Sequence, residues 1–442
     1  MRLLFVADGR SPIALNWIQH FVQTGYEVHL ASTFPCQPEL KLASLHIVPV
    51  AFSSAAGETA ARGGMIRTFT TPRLRTALRQ WLGPLTLARA GRRLRGLIHA
   101  LQPDLVHAMR IPYEGMIAAL ALAPDVLIRP SPTFPLVQSS LATRSSLYPT
   151  PPLYPTPIPL LISVWGNDFT LHARSTPLMA RYTRLALRHA NALHTDCHRD
   201  LRLAYEWGFV QGKPTITVPG NGGIDLEIFY PPAMAVYPPS PSPTSEVFTV
   251  INPRGFRAYV RNDTFFKAIP RVLEKYPQTR FVCPAMAGDP HITVYQNRLH
   301  ALNIGDSVEF LPHLPRAQMA ELFRQADVAV SPSEHDGTPN TLLEAMACGC
   351  LPIAGDIEAI REWIIPGENG LLFDPADADA LAQAIVRGLE DVKLRKRAAK
   401  ENARLIADWA EYRKTMERVE QFYTTLRPLL LSQSTLPDQT RP

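Results

Sequence analysis

DVAVSPSEHDGTPNTLLEAMACGC, residues 327–350, changes its periodicity twice in 24 positions. Asp327-Val328-Ala329-Val330 is short, apolar and β-branched, as a buried strand is, and Ser331-Pro332-Ser333 stops it. Thr341 to Ala347 then consists of strong helix formers, with Thr338 or Asn340 expected to cap the helix. The acids of EHDGTPN therefore sit in a loop between the carboxyl end of a strand and a helix N-terminus, whose free N–H groups favour an anion. Glu334 and Asp336 also have a plain reading, since a carboxylate at a helix start gains a few tenths of a kcal/mol from the macrodipole. Glu344 is different: it lies one turn inside the helix among Leu342, Leu343 and Met346.

The same strand–loop–helix unit repeats along the chain. In the first half LLFVA, YEVHLAS, DLVHAM, PLLISV and ALHTD read as strands, with helices at Ala14–Thr24, Gly115–Leu122, Thr176–Arg188 and His198–Trp207. In the second half VFTVIN, TRFVCPA, VEFLP and DVAVS alternate with helices at Asp263–Tyr276, Ile292–Leu302 and Ala317–Gln325. Alternation of this kind predicts α/β structure: two Rossmann-like, doubly wound domains facing across a cleft. The expected boundaries are 1–230 for the first domain, with a Pro-rich insert at about 130–159, 231–246 for a Pro/Ser linker, and 247–405 for the second domain. A helix at 406–426 is expected to return to the first domain, and 427–442 to form a tail.

Composition narrows the class. With 442 residues and 46% hydrophobic content, each of two domains can bury a core. Five scattered cysteines carry neither a disulfide framework nor paired metal-ligand spacing, which fits a reducing cytoplasm and buried thiols. The apolar run in MRLLFVADGR is too short for a signal-peptide core. Nothing reaches the length of about 20 apolar residues that spans a bilayer. The net charge of +6 is uneven: no acid occurs between Glu58 and Asp104, while arginines from Arg62 to Arg95 accumulate around Leu74, Leu78, Trp81, Leu82, Leu85 and Leu87. This stretch reads either as a solvated helix face or as a surface for anionic lipid, which would place the protein peripherally on the inner face of the membrane.

Loops at the carboxyl ends of strands are where such folds bind ligands. One of them, PRGFRAYVRND, offers Arg254, Arg257 and Arg261 to a diphosphate. Another offers Asp336 and Glu344, whose carboxylates accept hydrogen bonds from sugar hydroxyls. After the first strand, Gly9 allows close backbone approach beside Arg10. Cations for phosphate and acids for hydroxyls describe a nucleotide-sugar site.

DGTPNTLLEAMACGCLPIA followed by GENGLLFDP resembles the signature of the family 4 retaining glycosyltransferases of GT-B fold (glycosyl transferases group 1). The likeness extends through VPGNGGIDLEIFYPP, PRGFRAYVRNDTFFKAI and FLPHLPRAQMAELFRQADVAVSPS, over residues 215 to 425. It implies that Glu344 holds the donor ribose and Asp336 the transferred sugar, with backbone amides of Gly337, Thr338, Pro339 and Asn340 near the phosphates and sugar and Thr341 also binding substrate. Arg254 matches the family's diphosphate-binding arginine, and Arg261 stands where a lysine is usual. His313 and Leu314 fall in a loop expected to shape specificity, and the family's His-Gly-Ser-Asp run appears here as Trp165-Gly166-Asn167-Asp168. The implied activity is that of a hexosyltransferase moving a sugar from a nucleoside diphosphate sugar to a hydroxyl acceptor, free, glycan or lipid-linked. No metal or other cofactor is expected, and no nucleic-acid partner. The alternatives are a catalytically silent sugar-nucleotide-binding protein and a nucleotide-sugar epimerase of the same fold. A dinucleotide oxidoreductase is disfavoured, because no G-x-G-x-x-G follows the first strand.

Overall fold

The computed structural model describes residues 1–51, 53, 79–123, 158–232, 247–257, 259–286, 295 and 299–433, the last seven as backbone only. Nearly all of the Pro-rich insert and of the Pro/Ser linker therefore lies outside the described residues, as do Arg62–Arg75 and most of the helix expected at 292–302.

The described strands form two all-parallel sheets. The first comprises β1 (Arg2–Ala7), β2 (Glu27–Ser32), β3 (Ser44–Ile47), β4 (Leu105–Ala108), β5 (Leu160–Val164), β6 (Ala192–Thr195) and β7 (Thr215–Thr217), in the order β3-β2-β1-β4-β5-β6-β7. The second comprises β8 (Thr249–Ile251), β9 (Arg280–Pro284), β10 (Val308–Leu311), β11 (Val328–Ser331), β12 (Leu351–Gly355) and β13 (Leu371–Phe373), in the order β10-β9-β8-β11-β12-β13. In each, the strand order reverses beside the first strand, between β1 and β4 and between β8 and β11. Such a switch point opens a crevice at the carboxyl ends, because the loops on either side diverge to opposite faces.

Helices cover both faces of each sheet. In the first half these are α1 (Pro12–Gln23), α2 (Leu87–Leu101), α3 (Met116–Leu122), α4 (Pro177–His189) and α5 (His198–Glu206). In the second they are α6 (Asn262–Lys275), α7 (Arg316–Arg324), α8 (Asn340–Ala347), α9 (Ala378–Glu390) and α10 (Val392–Trp409). The strands are apolar on both sides, as parallel strands must be. Leu4 and Val6 of β1 join a core with Leu94, Ile117 and Met179, whereas Leu3 and Phe5 join Trp17 and Phe21 on the other face. In the second half Val250 packs with Phe266 and Ile385, and its neighbour Ile251 with Phe323 and Leu343.

A last helix, α11 (Tyr412–Gln433), leaves the second half and covers the first. Met416, Val419, Tyr423 and Leu426 pack in the core formed by Leu3, Phe5 and Trp17. The crossing point is backbone against backbone: Ile224 N–H donates to the Ala410 carbonyl at 2.7 Å, and Tyr412 N–H to the Ile224 carbonyl at 2.9 Å. Gly223, at φ +107°, permits it, since a Cβ there would lie 2.4 Å from the Ala410 oxygen. No helix among the described residues is long and apolar enough to cross a membrane.

Candidate functional site

The loops after β8 and β11 flank the switch point of the second sheet and are tied together. Arg261 N–H donates to the Pro332 carbonyl at 2.8 Å and Glu334 N–H to the Tyr259 carbonyl at 3.1 Å. Arg254 is only 8% exposed. Its guanidinium donates to Asp336 Oδ2 at 2.5 Å, Thr341 Oγ1 at 2.9 Å and Ser333 Oγ at 3.4 Å. Arg261 opens α6 and pairs with Asp263 at 3.0 Å and Glu334 at 3.4 Å. The two arginines therefore grip different ends of one acid loop, Arg254 from within and Arg261 from the rim. Burial holds the Asp336 carboxyl above its usual range, against the pull of Arg254.

Helix α8 begins at Asn340, and its cap is Pro339 rather than Thr338 or Asn340. Proline offers no capping side chain, so Leu342 N–H and Leu343 N–H both use the Pro339 carbonyl. The Thr338 hydroxyl is engaged elsewhere, donating to the Asp196 carbonyl, and Asn340 Oδ1 is buried without a partner. Glu344 lies on the half-buried side of α8, and its carboxylate makes no hydrogen bond among the described residues. Burial pushes its pKa up to about 7, opposed by the charges of Arg316 and Arg254. Arg316 opens α7 just after His313 and Leu314, which occupy the connection from β10. Reading the sequence missed Arg316, because 28 positions separate it from Glu344.

Across the cleft, the predicted residues of the first half have structural partners. Gly9 sits against Ser32 and Cys36, where a Cβ would come within 2.4 Å of the Cys36 sulfur. Arg10 pairs with Asp8 at 2.9 Å and lies 3.6 Å over the Phe34 ring. Asp168 is 1% exposed and accepts from Arg110 at 2.7 and 3.0 Å and from Ile111 N–H at 3.2 Å. Asn167 accepts from the same arginine at 2.9 Å. Asn167 and Asp168 thus brace the loop after β5 against the loop after β4. Trp165 is half-buried, faces the Arg110 guanidinium at 5.5 Å, and keeps its indole N–H buried without a partner. Nearby His172 is held neutral, its pKa pushed down to about 3 by burial and by Arg110 and Arg79.

The two halves meet at glycines. A Cβ on Gly166 would fall 1.7 Å from Gly337 N, and one on Gly337 would fall 2.4 Å from either oxygen of Asp196. Around this contact Arg199 donates to the Asp336 carbonyl at 2.6 Å and to the Gly166 carbonyl at 2.8 Å, so one side chain bridges the cleft. Glu362 accepts from His198 N–H and Arg199 N–H, both at 2.9 Å, capping α5 from the opposite half. Asp196, Cys197 and Asp200 bring three potential ligand atoms within 4.8 Å of one another. Asp200 is already paired with Arg199 at 2.7 Å, however, and burial together with Asp200 raises the Asp196 carboxyl well above its usual range. The raised carboxyl of Asp196 favours its neutral form, which leaves the Asp200 charge to pair with the Arg199 guanidinium.

Residues 242–405 match the family model for glycosyl transferases group 1. An exopolysaccharide phosphotransferase of Streptomyces coelicolor is 34% identical over 149 residues, 33% of this chain and 15% of that protein. A D-inositol 3-phosphate glycosyltransferase of Kribbella flavida is 26% identical over 172 residues, 37% of this chain and 41% of that one. The chain thus spans less than half the length of these curated relatives. Among solved structures, sucrose-phosphate synthase from Thermosynechococcus elongatus superposes with a TM-score of 0.67 at 17% identity, over 96% of this chain and 99% of that one. Anabaena HepE in complex with UDP-glucose superposes with a TM-score of 0.63 at 15% identity, over 96% and 100%. Both likenesses extend over the two halves and identify the GT-B fold.

Proposed function

We propose that this chain, whose residues 242–405 belong to the glycosyl transferases group 1 family, is a retaining glycosyltransferase that moves a sugar from a nucleoside diphosphate sugar to a hydroxyl acceptor. The observation that carries the reading is the second sheet's switch point. There two arginines and two acids converge from the loops after β8 and β11 and from α8. Glu344, with no hydrogen-bond partner among the described residues, is free to accept from ribose, and Asp336 from the transferred sugar. The UDP-glucose bound by HepE, of the same fold, supports a donor of this class.

In the proposed reaction the bond from the sugar's anomeric carbon to the diphosphate oxygen breaks, and the diphosphate keeps the electron pair. The acceptor oxygen bonds to the same carbon from the same face. Its proton passes to a phosphate oxygen of the leaving group, so no protein nucleophile is required. The barrier is set by negative charge accumulating on the diphosphate and positive charge on the sugar, and fixed cations lower it. Arg254 and Arg261 supply that charge, and no metal is needed.

Calorimetry with UDP, GDP and ADP tests the donor site. Arg254→Ala should weaken the preferred nucleotide more than Arg261→Ala, because Arg254 is better shielded from water, with losses of tenfold or more. Arg254→Lys keeps the charge opposite Asp336 and should retain part of the affinity. Unchanged binding in all three variants would remove both residues from the site. Nucleotide release from the matching sugar nucleotide, with and without candidate acceptors, then separates transfer from silent binding.

A further inference from the structure

The basic stretch singled out in the sequence continues into a surface that the donor site does not use. Helices α2 and α4 pack on the same face of the first sheet, on either side of α3. Their outward residues therefore point the same way, away from the sheet. Arg89, Arg92 and Arg93 of α2 and Arg181 and Arg188 of α4 are all exposed, and none makes an ion pair among the described residues. Ion pairs elsewhere on the surface are common, as in Arg202 with Glu358 or Arg280 with Glu309. The sequence explains the difference: α2 and α4 contain no acid at all.

Apolar side chains crown the same face. The turn preceding α2 leaves Trp81 62%, Leu82 40% and Leu85 69% exposed, and Leu178 at the start of α4 is 37% exposed. The two lie together, since α4 packs on the turn at Gly83–Thr86 and the Thr176 hydroxyl donates to the Gln80 carbonyl at 3.4 Å. Two residues before Trp81, the Arg79 guanidinium lies 4.8 Å from the Phe34 ring and 4.7 Å from the Tyr113 ring. Phe34 is the ring that Arg10 covers, so the apolar crown adjoins the mouth of the first half's crevice.

We infer that the face built by Trp81–Leu85, α2 and α4 docks on an anionic lipid bilayer, with Trp81, Leu82 and Leu85 entering the headgroup boundary and the arginines resting on lipid phosphates. This inference rests on the proposed transfer to a hydroxyl acceptor: the donor site occupies the second half, which leaves the first half's crevice to the acceptor, and docking would bring that crevice next to an acceptor carried in the bilayer. Unpaired arginines suit any polyanion, but a nucleic-acid duplex, whose bases are already stacked, has no use for an exposed indole and two leucines beside them. A bilayer takes up both.

Co-sedimentation of the full chain with phosphatidylcholine vesicles, with and without phosphatidylglycerol, decides it. Binding should require the anionic lipid and should weaken in high salt, because exposed charges are screened. R89E/R92E/R93E should lower partitioning by about a hundredfold or more, each basic residue near such a surface being worth about fivefold. R89K/R92K/R93K should preserve it, and W81A/L85A should weaken it severalfold. Reversal at Arg404, which is exposed on α10, should leave it unchanged. UDP calorimetry on the same variants should be unaffected, so a failure of docking is distinguishable from a failure of the donor site. Equal binding to neutral vesicles, indifference to salt, or full retention by R89E/R92E/R93E overturns the proposal. So does binding to duplex DNA in the absence of binding to vesicles.

Discussion

Asp336 and Glu344 sit eight positions apart in sequence but in different surroundings, and this makes their proposed roles separable. Asp336 is already hydrogen-bonded to Arg254, whereas Glu344 is held near neutrality by burial alone, with a pKa of about 7. Glu344→Gln should weaken both free UDP and the complete donor, and Asp336→Asn only the donor. Each change should be about tenfold or larger, the size expected for one lost hydrogen bond to a charged group. Calorimetry with UDP and with UDP-glucose reads both. Equal loss of free UDP in the two variants would end the division of labour. Glu344 also has a signature in stability. Because its folded pKa is raised, the folded protein holds a proton that the unfolded chain releases between about pH 4.5 and 7. Its contribution therefore falls as pH rises through that window, and Glu344→Gln should remove this decline. The spacing of the two acids was readable in the sequence; the pairing of Asp336 with Arg254 and the burial of Glu344 were not.

At the scale of elements, α11 is attached to the first sheet through a buried polar chain. Trp17 Nε1–H donates to the Tyr423 hydroxyl at 3.0 Å, and that hydroxyl meets His107 Nδ1 at 2.5 Å. His107 Nε2 meets Ser163 Oγ at 2.8 Å, Ser163 Oγ meets His194 Nδ1 at 2.7 Å, and His194 Nε2 donates to the Val218 carbonyl at 2.9 Å. Every link is sealed from water, so Tyr423→Phe strands two buried groups and should cost about 1–3 kcal/mol, measurable by urea unfolding. The same burial keeps both imidazoles neutral: His194 falls to about 4, and His107 falls well below its usual range. The unfolded chain binds protons below about pH 6.5 that the folded one refuses, so stability should drop as pH falls from about 6.5 toward 4. The expected slope is up to about 1.4 kcal/mol per pH unit for each histidine. Substituting His194 by Asn should flatten the profile by about one proton. An unchanged profile would mean that the ring is protonated in the fold.

For the whole molecule, the contact between halves depends on few residues. Arg199 bridges Gly166 and Asp336 across the cleft, and Glu362 caps α5 from the opposite side. The crossing at Ala410–Tyr412 and helix α11 remain as a second attachment. Arg199→Ala combined with Glu362→Gln should therefore loosen the cleft without separating the halves. Small-angle scattering should show a larger radius of gyration, and UDP affinity should change less than threefold, because the donor loops belong to one half. An unchanged radius would assign the closed arrangement to the remaining contacts: α11, the glycines, Arg202 with Glu358 and Thr338 with Asp196.

Periodicity determined much of this protein from sequence alone. Strands such as LLFVA and DVAVS and the helix after DGTPN carry their signal in consecutive residues, since side-chain direction repeats every two or 3.6 positions. The acids and arginines at the carboxyl ends followed from that alternation, because a parallel sheet places those loops on one edge. Short strands such as Thr215–Thr217 and Leu371–Phe373 were not legible, three residues being too few to show a period. Nor were Arg110, Asp196, Arg199 and Arg316, whose contacts with the site residues span tens of positions or more. Only the tertiary structure decided that Asp168 belongs to Arg110, that two glycines meet across the cleft, and that Tyr423 of α11 joins a buried chain through His107 to His194. Each depends on close packing between segments far apart in the chain, and no local pattern records such a distance.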